Sequence, residues 1–404
     1  MTVQHTIRAD GFTIASANRR LPVAVWRSAT HAQPSEAQVL AALEGVIEPE
    51  LGRPITDLGM VQGVVVRPGR VQVSLALVVS GHPQAERIRA DVTDAVGSVV
   101  GAEGAGANGG YEVVLDLVAM NDHDRARLRR TLQDGRPEPA TVFSGIRTYA
   151  VASGKGGVGK SSIATNLAIA MAQRGERVAL LDADVWGFSI PRMMGVQRGP
   201  VILDGLLVPV MAHGVRVVSV GMLTEESAPV IWRGPMLHKM LEQFVSDVFW
   251  DEPDVLVVDM PPGTGDVSLT VARLLPDAEV VVVTTPQPAA QRVAQRAAYM
   301  ARHVELRVAG VVENMSWFTG HDGVRYELFG AGGGELLARE LDVPLLGRLP
   351  LVPALREGAD QGEPVVVGEP GGEAARALDA IAGNLLEQSP ARVRHPQLRI
   401  ISAS

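Results

Sequence analysis

The chain has 404 residues, 46% of them hydrophobic and 20% charged, with a formal net charge of −8 and no cysteine. A polypeptide of this length and apolar content is expected to bury ample core in two or three domains. Its acidic balance gives no support to a nucleic-acid partner, and the lack of cysteine excludes disulfides, thiolate nucleophiles and thiolate metal sites. No stretch reaches about 18 apolar residues, and the N-terminus lacks the charged start and apolar run of a signal peptide; the expectation is a cytoplasmic protein that engages no membrane.

Residues 1–34, with Arg19-Arg20 and no sustained periodicity, read as an N-terminal extension. Residues 35–132 pattern as a small α/β domain. The spacing predicts helices over Ala37–Val46 and Pro83–Val100, and strands over Gly63–Arg67, Arg70–Val79 and Tyr111–Met120. Pro68-Gly69 supplies a hairpin turn between the first two strands. Residues 133–144 have the polar, proline-bearing composition of a linker. From 145 to 388 strands and helices alternate, with strands predicted over Val178–Asp182, Val215–Val220, Val255–Asp259, Glu279–Thr285, Val308–Glu313 and Val343–Gly347. Several are unbroken Val/Leu/Ile runs, the pattern of strands covered on both faces. Pro235–Phe249 is a helix whose Leu237, Met240, Leu241, Phe244, Val245 and Val248 share one side. The fold class is therefore α/β, a mostly parallel sheet with helices on both faces and ligands at the carboxyl ends of its strands. The tail at 389–404 is short, basic and poorly amphipathic.

One segment carries most of the chemistry. Gly154-Lys155-Gly156-Gly157-Val158-Gly159-Lys160-Ser161 fits the phosphate-loop pattern G-x-x-x-x-G-K-S/T. It lies between the strand-like Arg147–Ser153 and the helical Ser161–Arg174, so a helix N-terminus faces the bound phosphate. Residues Gly154 to Ser162 form the candidate nucleotide-binding set. Three acids close predicted strands of the same sheet: Asp182, with Asp184 two residues on, and Asp259, which runs into Met260-Pro261-Pro262-Gly263-Thr264-Gly265-Asp266. An acid ending an apolar strand beside a phosphate loop is the usual carboxylate near Mg²⁺.

Lys155 beside the first loop glycine resembles the deviant Walker-type ATPases, which include MinD, ParA and the nitrogenase iron protein. Asp182–Gly195, Val230–Lys239, Asp259–Asp266, Val312–Ser316 and Arg356–Val365 resemble the Mrp/ApbC branch in particular. Glu48–Val61 is similar to the small domain that precedes the ATPase in many Mrp proteins. The resemblance implies an ATPase in which Lys160 contacts the β- and γ-phosphates and Ser161 ligates Mg²⁺. It also implies that Lys155 reaches across a homodimer, Asp182 and Asp259 belong to the Mg²⁺ shell, and Asp184 orients the attacking water. Gly263 would sense the γ-phosphate through its backbone N–H, and Asn314 would contact adenine.

The family role is iron–sulfur cluster assembly, with the cluster held between subunits on a C-x-x-C pair after the ENMS segment. Here that stretch reads Trp317-Phe318-Thr319-Gly320-His321-Asp322-Gly323, and a further family cysteine is replaced in Ser80-Gly81-His82-Pro83. Such clusters require soft thiolate ligands, so direct carriage by this chain alone is not expected. A regulatory paralogue, a mixed dimer with a cysteine-bearing relative, and a MinD- or ParA-like positioning ATPase stand as the alternatives.

Overall fold

The computed structural model describes residues 33–100, 111–133, 143, 145–223, 234–263 and 265–388. The extension up to residue 32, most of the 133–144 linker, Val230–Arg233 and the tail lie outside the described residues.

The N-terminal unit begins with α1 (Glu36–Leu43), started by a capping box in which Ser35 accepts the Gln38 N–H and the Gln38 side chain accepts the Ser35 N–H. Strands β1 (Val61–Arg67) and β2 (Arg70–Leu77) form the antiparallel hairpin across Pro68-Gly69, where Gly69 takes φ +75°. Helix α2 (Ala85–Val100) crosses back to β3 (Glu112–Ala119), which lies parallel to β2. Ile88, Val92, Val96 and Val100 repeat every four residues, and all are buried. A helix absent from the predicted set, α3 (Asp122–Gln133), follows; it is so rich in arginine that only Leu128 and Leu132 are buried.

The C-terminal unit opens with β4 (Arg147–Ser153), α4 (Lys160–Gln173), β5 (Val178–Asp182) and the short α5 (Ile190–Met193). A small antiparallel hairpin, β6 (Val201–Leu203) and β7 (Leu206–Val208), precedes β8 (Val210–Ala212) and β9 (Val215–Ser219). Then come α6 (Gly234–Ser246), β10 (Val255–Asp259), α7 (Asp266–Leu274), β11 (Glu279–Thr284), α8 (Pro288–His303) and β12 (Arg307–Glu313). A second hairpin, β13 (Phe318–Thr319) and β14 (Arg325–Tyr326), leads to α9 (Gly333–Leu341), β15 (Leu345–Arg348), α10 (Pro353–Gln361), α11 (Val365–Gly368) and α12 (Glu373–Gln388).

The main sheet has the order β15-β12-β11-β4-β10-β5-β9-β8, parallel throughout except for β8 at one edge. From β4 the chain passes to β5, β9 and β10 on one side, then returns to β11, β12 and β15 on the other. The loop after β4 therefore sits at the switch point where such sheets bind ligands. The predicted strands recur with small shifts: the last begins two residues late, at Leu345, because Pro344 has no N–H for a ladder. Two apolar layers cover the two faces of the sheet.

The two units share a core. Val201, Leu203, Leu206 and Val208 of the β6–β7 hairpin, with Phe249, pack among the apolar residues of the N-terminal unit. Asp204 and Gly205 at the hairpin tip both take positive φ, 47° and 86°, as a tight two-residue turn requires.

Candidate nucleotide-binding site

Strand register assembles the acids. Asp259 is the lateral partner of Asp182 in the parallel ladder, and Asp182 is the partner of Ser219, so the three residues form one row at the carboxyl edge. All three are buried. The phosphate loop passes over this row between β4 and α4, and two of its glycines are sterically required. A Cβ on Gly154 would lie 2.2 Å from the Val293 carbonyl group, and one on Gly159, at φ +85°, would lie 2.3 Å from the Asn314 amide nitrogen.

Lys160 is buried at the first position of α4, with its Nζ 2.6 Å from Asp259 Oδ1, 3.5 Å from Asp184 Oδ2 and 3.2 Å from Ser161 Oγ. Here the lysine neutralises the acids while standing at the helix end where a phosphate would bind. The Ser219 hydroxyl donates to Asp182 Oδ2 at 2.8 Å and accepts the Gly221 N–H, and Asp182 Oδ1 accepts the Asp184 N–H. Burial, then the neighbouring Asp259 charge, pushes Asp182 up to about 8, against the hydrogen bonds and Lys160 that favour its anion. Burial also holds Asp259 above the ordinary carboxylate range, opposed chiefly by Lys160. Among the described residues Asp259 Oδ2 is buried with no hydrogen-bond partner. An orphaned carboxylate oxygen beside a serine hydroxyl suits a hydrated Mg²⁺, which takes few protein ligands and keeps its waters.

The remaining predicted residues gather around the loop in different states. Lys155 is half-buried, its Nζ 3.4 Å from Gln287 Oε1 of the same chain. Gly156 and Gly157 are exposed and Val158 is buried, while Ser162 Oγ rests 4.0 Å from the Met193 sulfur. The Gly263 N–H donates to the Ser153 carbonyl at 2.9 Å. Asn314 donates from Nδ2 to the Val158 carbonyl and accepts the Met315 N–H, which ties the end of β12 to the phosphate loop. Each end of that amide retains one unused hydrogen-bonding capacity. Trp186, two residues after Asp184, is 66% exposed. Sequence reasoning missed Ser219; its signal was a hydroxyl closing the strand-like stretch Val215-Arg216-Val217-Val218, the same position in its strand that marked Asp182 and Asp259.

The segment that would carry cluster ligands is differently built. His321 and Asp322 are exposed in the turn of the β13–β14 hairpin, where Asp322 accepts the Tyr326 hydroxyl at 2.7 Å and the Val324 N–H. Arg325 stacks over Trp317 at 4.5 Å and pairs with Glu373. Among the described residues no group of three or more His, Asp or Glu side chains is arranged to hold a metal ion. His82 is buried elsewhere, its Nδ1 accepting the Gln84 N–H and its Nε2 3.4 Å from Glu48 Oε1.

A phosphate loop at the switch point of a parallel sheet, over a row of buried acids, defines a P-loop NTPase. The sequence profile of the NUBPL iron-transfer P-loop NTPases matches residues 146–386, and that of an iron–sulfur cluster assembly protein matches residues 36–108. An iron–sulfur cluster carrier protein of Mycobacterium leprae is 46% identical, over 89% of this chain and 94% of its own length. One from Bacillus subtilis is 43% identical over 75% and 84%. A nucleotide-binding protein of Archaeoglobus fulgidus, solved with ADP, superposes with a TM-score of 0.53 at 32% identity, over 64% of this chain and 98% of that one. The chain belongs to the NUBPL iron-transfer family of P-loop NTPases, together with the iron–sulfur cluster carriers. No helix among the described residues is long and apolar enough to cross a membrane.

Proposed function

We propose that this chain is an ATP-hydrolysing dimeric switch of the cluster-carrier type, which keeps the nucleotide engine and relies on a cysteine-bearing partner to hold the cluster. The observation that carries this reading is Lys160. It is enclosed by Asp259, Asp184 and Ser161 at the start of α4, in a chain without a single cysteine.

On this reading the loop amides and Lys160 bind the β- and γ-phosphates, and Lys160 exchanges its carboxylate partners for phosphate oxygens. Ser161, Asp182 and Asp259 would hold Mg²⁺, which supplies charge neutralisation at the phosphates when bound. Asp184 orients the attacking water. Lys155 leaves Gln287 and adds its charge to the site of a second subunit, so that turnover requires the dimer. Gly263 exchanges the Ser153 carbonyl for the γ-phosphate, and Asn314 uses its spare donor and acceptor on adenine. The subunit that completes the nucleotide site is a second copy of this chain or a relative of the same fold, the thiolates for a cluster come from a cysteine-bearing protein, and the assembly acts on cluster-receiving client proteins in the cytoplasm.

Phosphate release measured against chain concentration tests this reading. Specific activity should rise with concentration and require Mg²⁺; turnover independent of concentration would remove the dimer, and no turnover would remove the enzyme.

A further inference from the structure

We infer that Glu50, in the N-terminal unit, is a positioning residue for the loop that carries Asp184, acting through Arg198. The inference rests on the ATPase reading above and assigns to the N-terminal unit a part in that same reaction.

Glu50 is 2% exposed, and both of its oxygens are spent on the other unit. Oε1 lies 2.7 Å from Arg198 Nη2, and Oε2 accepts the Met211 N–H at 2.8 Å. Met211 belongs to β8, the antiparallel edge of the main sheet, so the carboxylate also caps an otherwise open ladder position. Its own backbone is fixed from behind, because the Glu50 and Leu51 N–H groups both donate to the buried Glu48 carboxylate. A carboxylate so enclosed is nearly stripped of water and depends on its cation and N–H partners.

What it holds is one end of the catalytic segment. The chain leaves β5 at Asp182, passes Asp184 and Trp186, forms α5 and reaches Arg198 with no other element between. Met193 of α5 rests on the first turns of α4, its sulfur 4.0 Å from Ser162 Oγ and 3.9 Å from Thr165 Oγ1. One end of the Asp184–Arg198 segment is thus set by the acid row, its middle by the phosphate-loop helix and by α10, where Arg192 pairs with Asp360 and Gly195 abuts Gly362, and its far end by the N-terminal unit. A cleft of about 280 Å³ lined by Gly195, Val196, Gln197, Arg198, Met211 and Ala212 lies beside this last anchor. The far end has room to move once Arg198 is released, and a water-orienting acid is sensitive to small displacements.

The Gln84 amide, with its oxygen turned toward the Arg198 guanidinium, adds a second tie from the N-terminal unit, whereas the other ion pairs of the seam lie away from this segment. Arg53 and Arg216 share Asp251, at 2.9 and 2.7 Å, and Arg125 faces Asp204 at 3.6 Å. Arg53–Asp251 and Arg125–Asp204 join the two units without touching the path from Asp184 to Arg198.

The test uses the full chain and steady-state kinetics. Glu50→Gln should lower kcat about tenfold while KM for Mg-ATP stays within about twofold, because the anchor orients the loop and does not bind nucleotide. Arg198→Lys, which keeps a cation for Glu50, should retain most of the turnover, and Arg125→Ala should match the wild type. An unchanged kcat in Glu50→Gln, an equal rise in KM, or an equal loss in Arg125→Ala would each overturn the inference. Hydrogen exchange on the wild type is independent of any variant's folding. A non-hydrolysable ATP analogue should slow exchange at 185–198 and at 46–54 together, and protection of 185–198 alone would contradict the coupling. No turnover and no protection of 154–162 in the wild type would overturn the ATPase reading instead, a separate outcome.

Discussion

The phosphate edge and the β13–β14 hairpin are joined through β12 and Asn314, yet they are built on opposite principles. At the edge, Lys160, Asp182, Asp259 and Ser219 are buried, register-matched and bonded to one another. At the hairpin, His321 and Asp322 stand in solvent, and the order comes from turn bonds, an Arg–Trp stack and the Arg325–Glu373 pair. Burying two acids and a lysine is costly unless the arrangement is used, whereas a solvated turn costs little to keep. The difference teaches that the nucleotide-site residues are held in a buried, bonded array in a chain that has no cysteine to ligate a cluster.

The strongest challenge to the edge is Lys160→Ala. At Mg-ATP a hundredfold above its dissociation constant the wild type should gain about 2.7 kcal/mol of stability, and the variant none, by thermal unfolding. Next, Asp184→Asn should lower phosphate release by roughly a hundredfold or more while the same ligand-induced shift persists. Retained turnover would take the water-orienting role away from Asp184.

A third experiment asks whether buried polar groups outside the edge are equally consequential. Burial pushes Glu48 up to about 7, and it lowers His82 to about 4 with the Arg198 charge assisting. Protonated Glu48 thus stabilises the fold below about pH 4.5, a contribution lost as pH rises through 7; neutral His82 stabilises above about 6.5, lost as pH falls through 4. In the wild type the two trends oppose each other. His82→Gln should uncover a fall in stability of roughly 2 kcal/mol between about pH 5 and 7, and Glu48→Gln a rise of similar size between about pH 4 and 6.5. Flat profiles in both variants, by denaturant titration, would contradict the pairing. The smallest effect is expected from Ser219→Ala, which should weaken Mg²⁺-dependent nucleotide affinity roughly tenfold with little change in affinity without the metal.

Much of this was legible in the sequence, for identifiable reasons. Parallel strands buried on both faces write themselves as Val/Leu/Ile runs, so β5, β10, β11 and β12 were readable within a residue or two. Glycines that must admit a phosphate and a neighbouring backbone left the loop pattern at Gly154–Ser161. What escaped were features defined by partners distant in sequence. Glu50 and Arg198 are separated by 148 positions and meet only in the fold. The β6–β7 hairpin carried a visible Asp-Gly turn signal, but nothing local reveals that its apolar residues complete another unit's core. Helix α3 was obscured by arginines, which leave it almost no apolar stripe.

Anaerobic reconstitution of the full chain with iron and sulfide, with ATP turnover measured on the same sample, tests the separation of engine from cargo most directly. The account predicts Mg²⁺-dependent ATP hydrolysis with no stoichiometric iron and no cluster absorbance in the visible range. One stably bound cluster per dimer of this chain would contradict it.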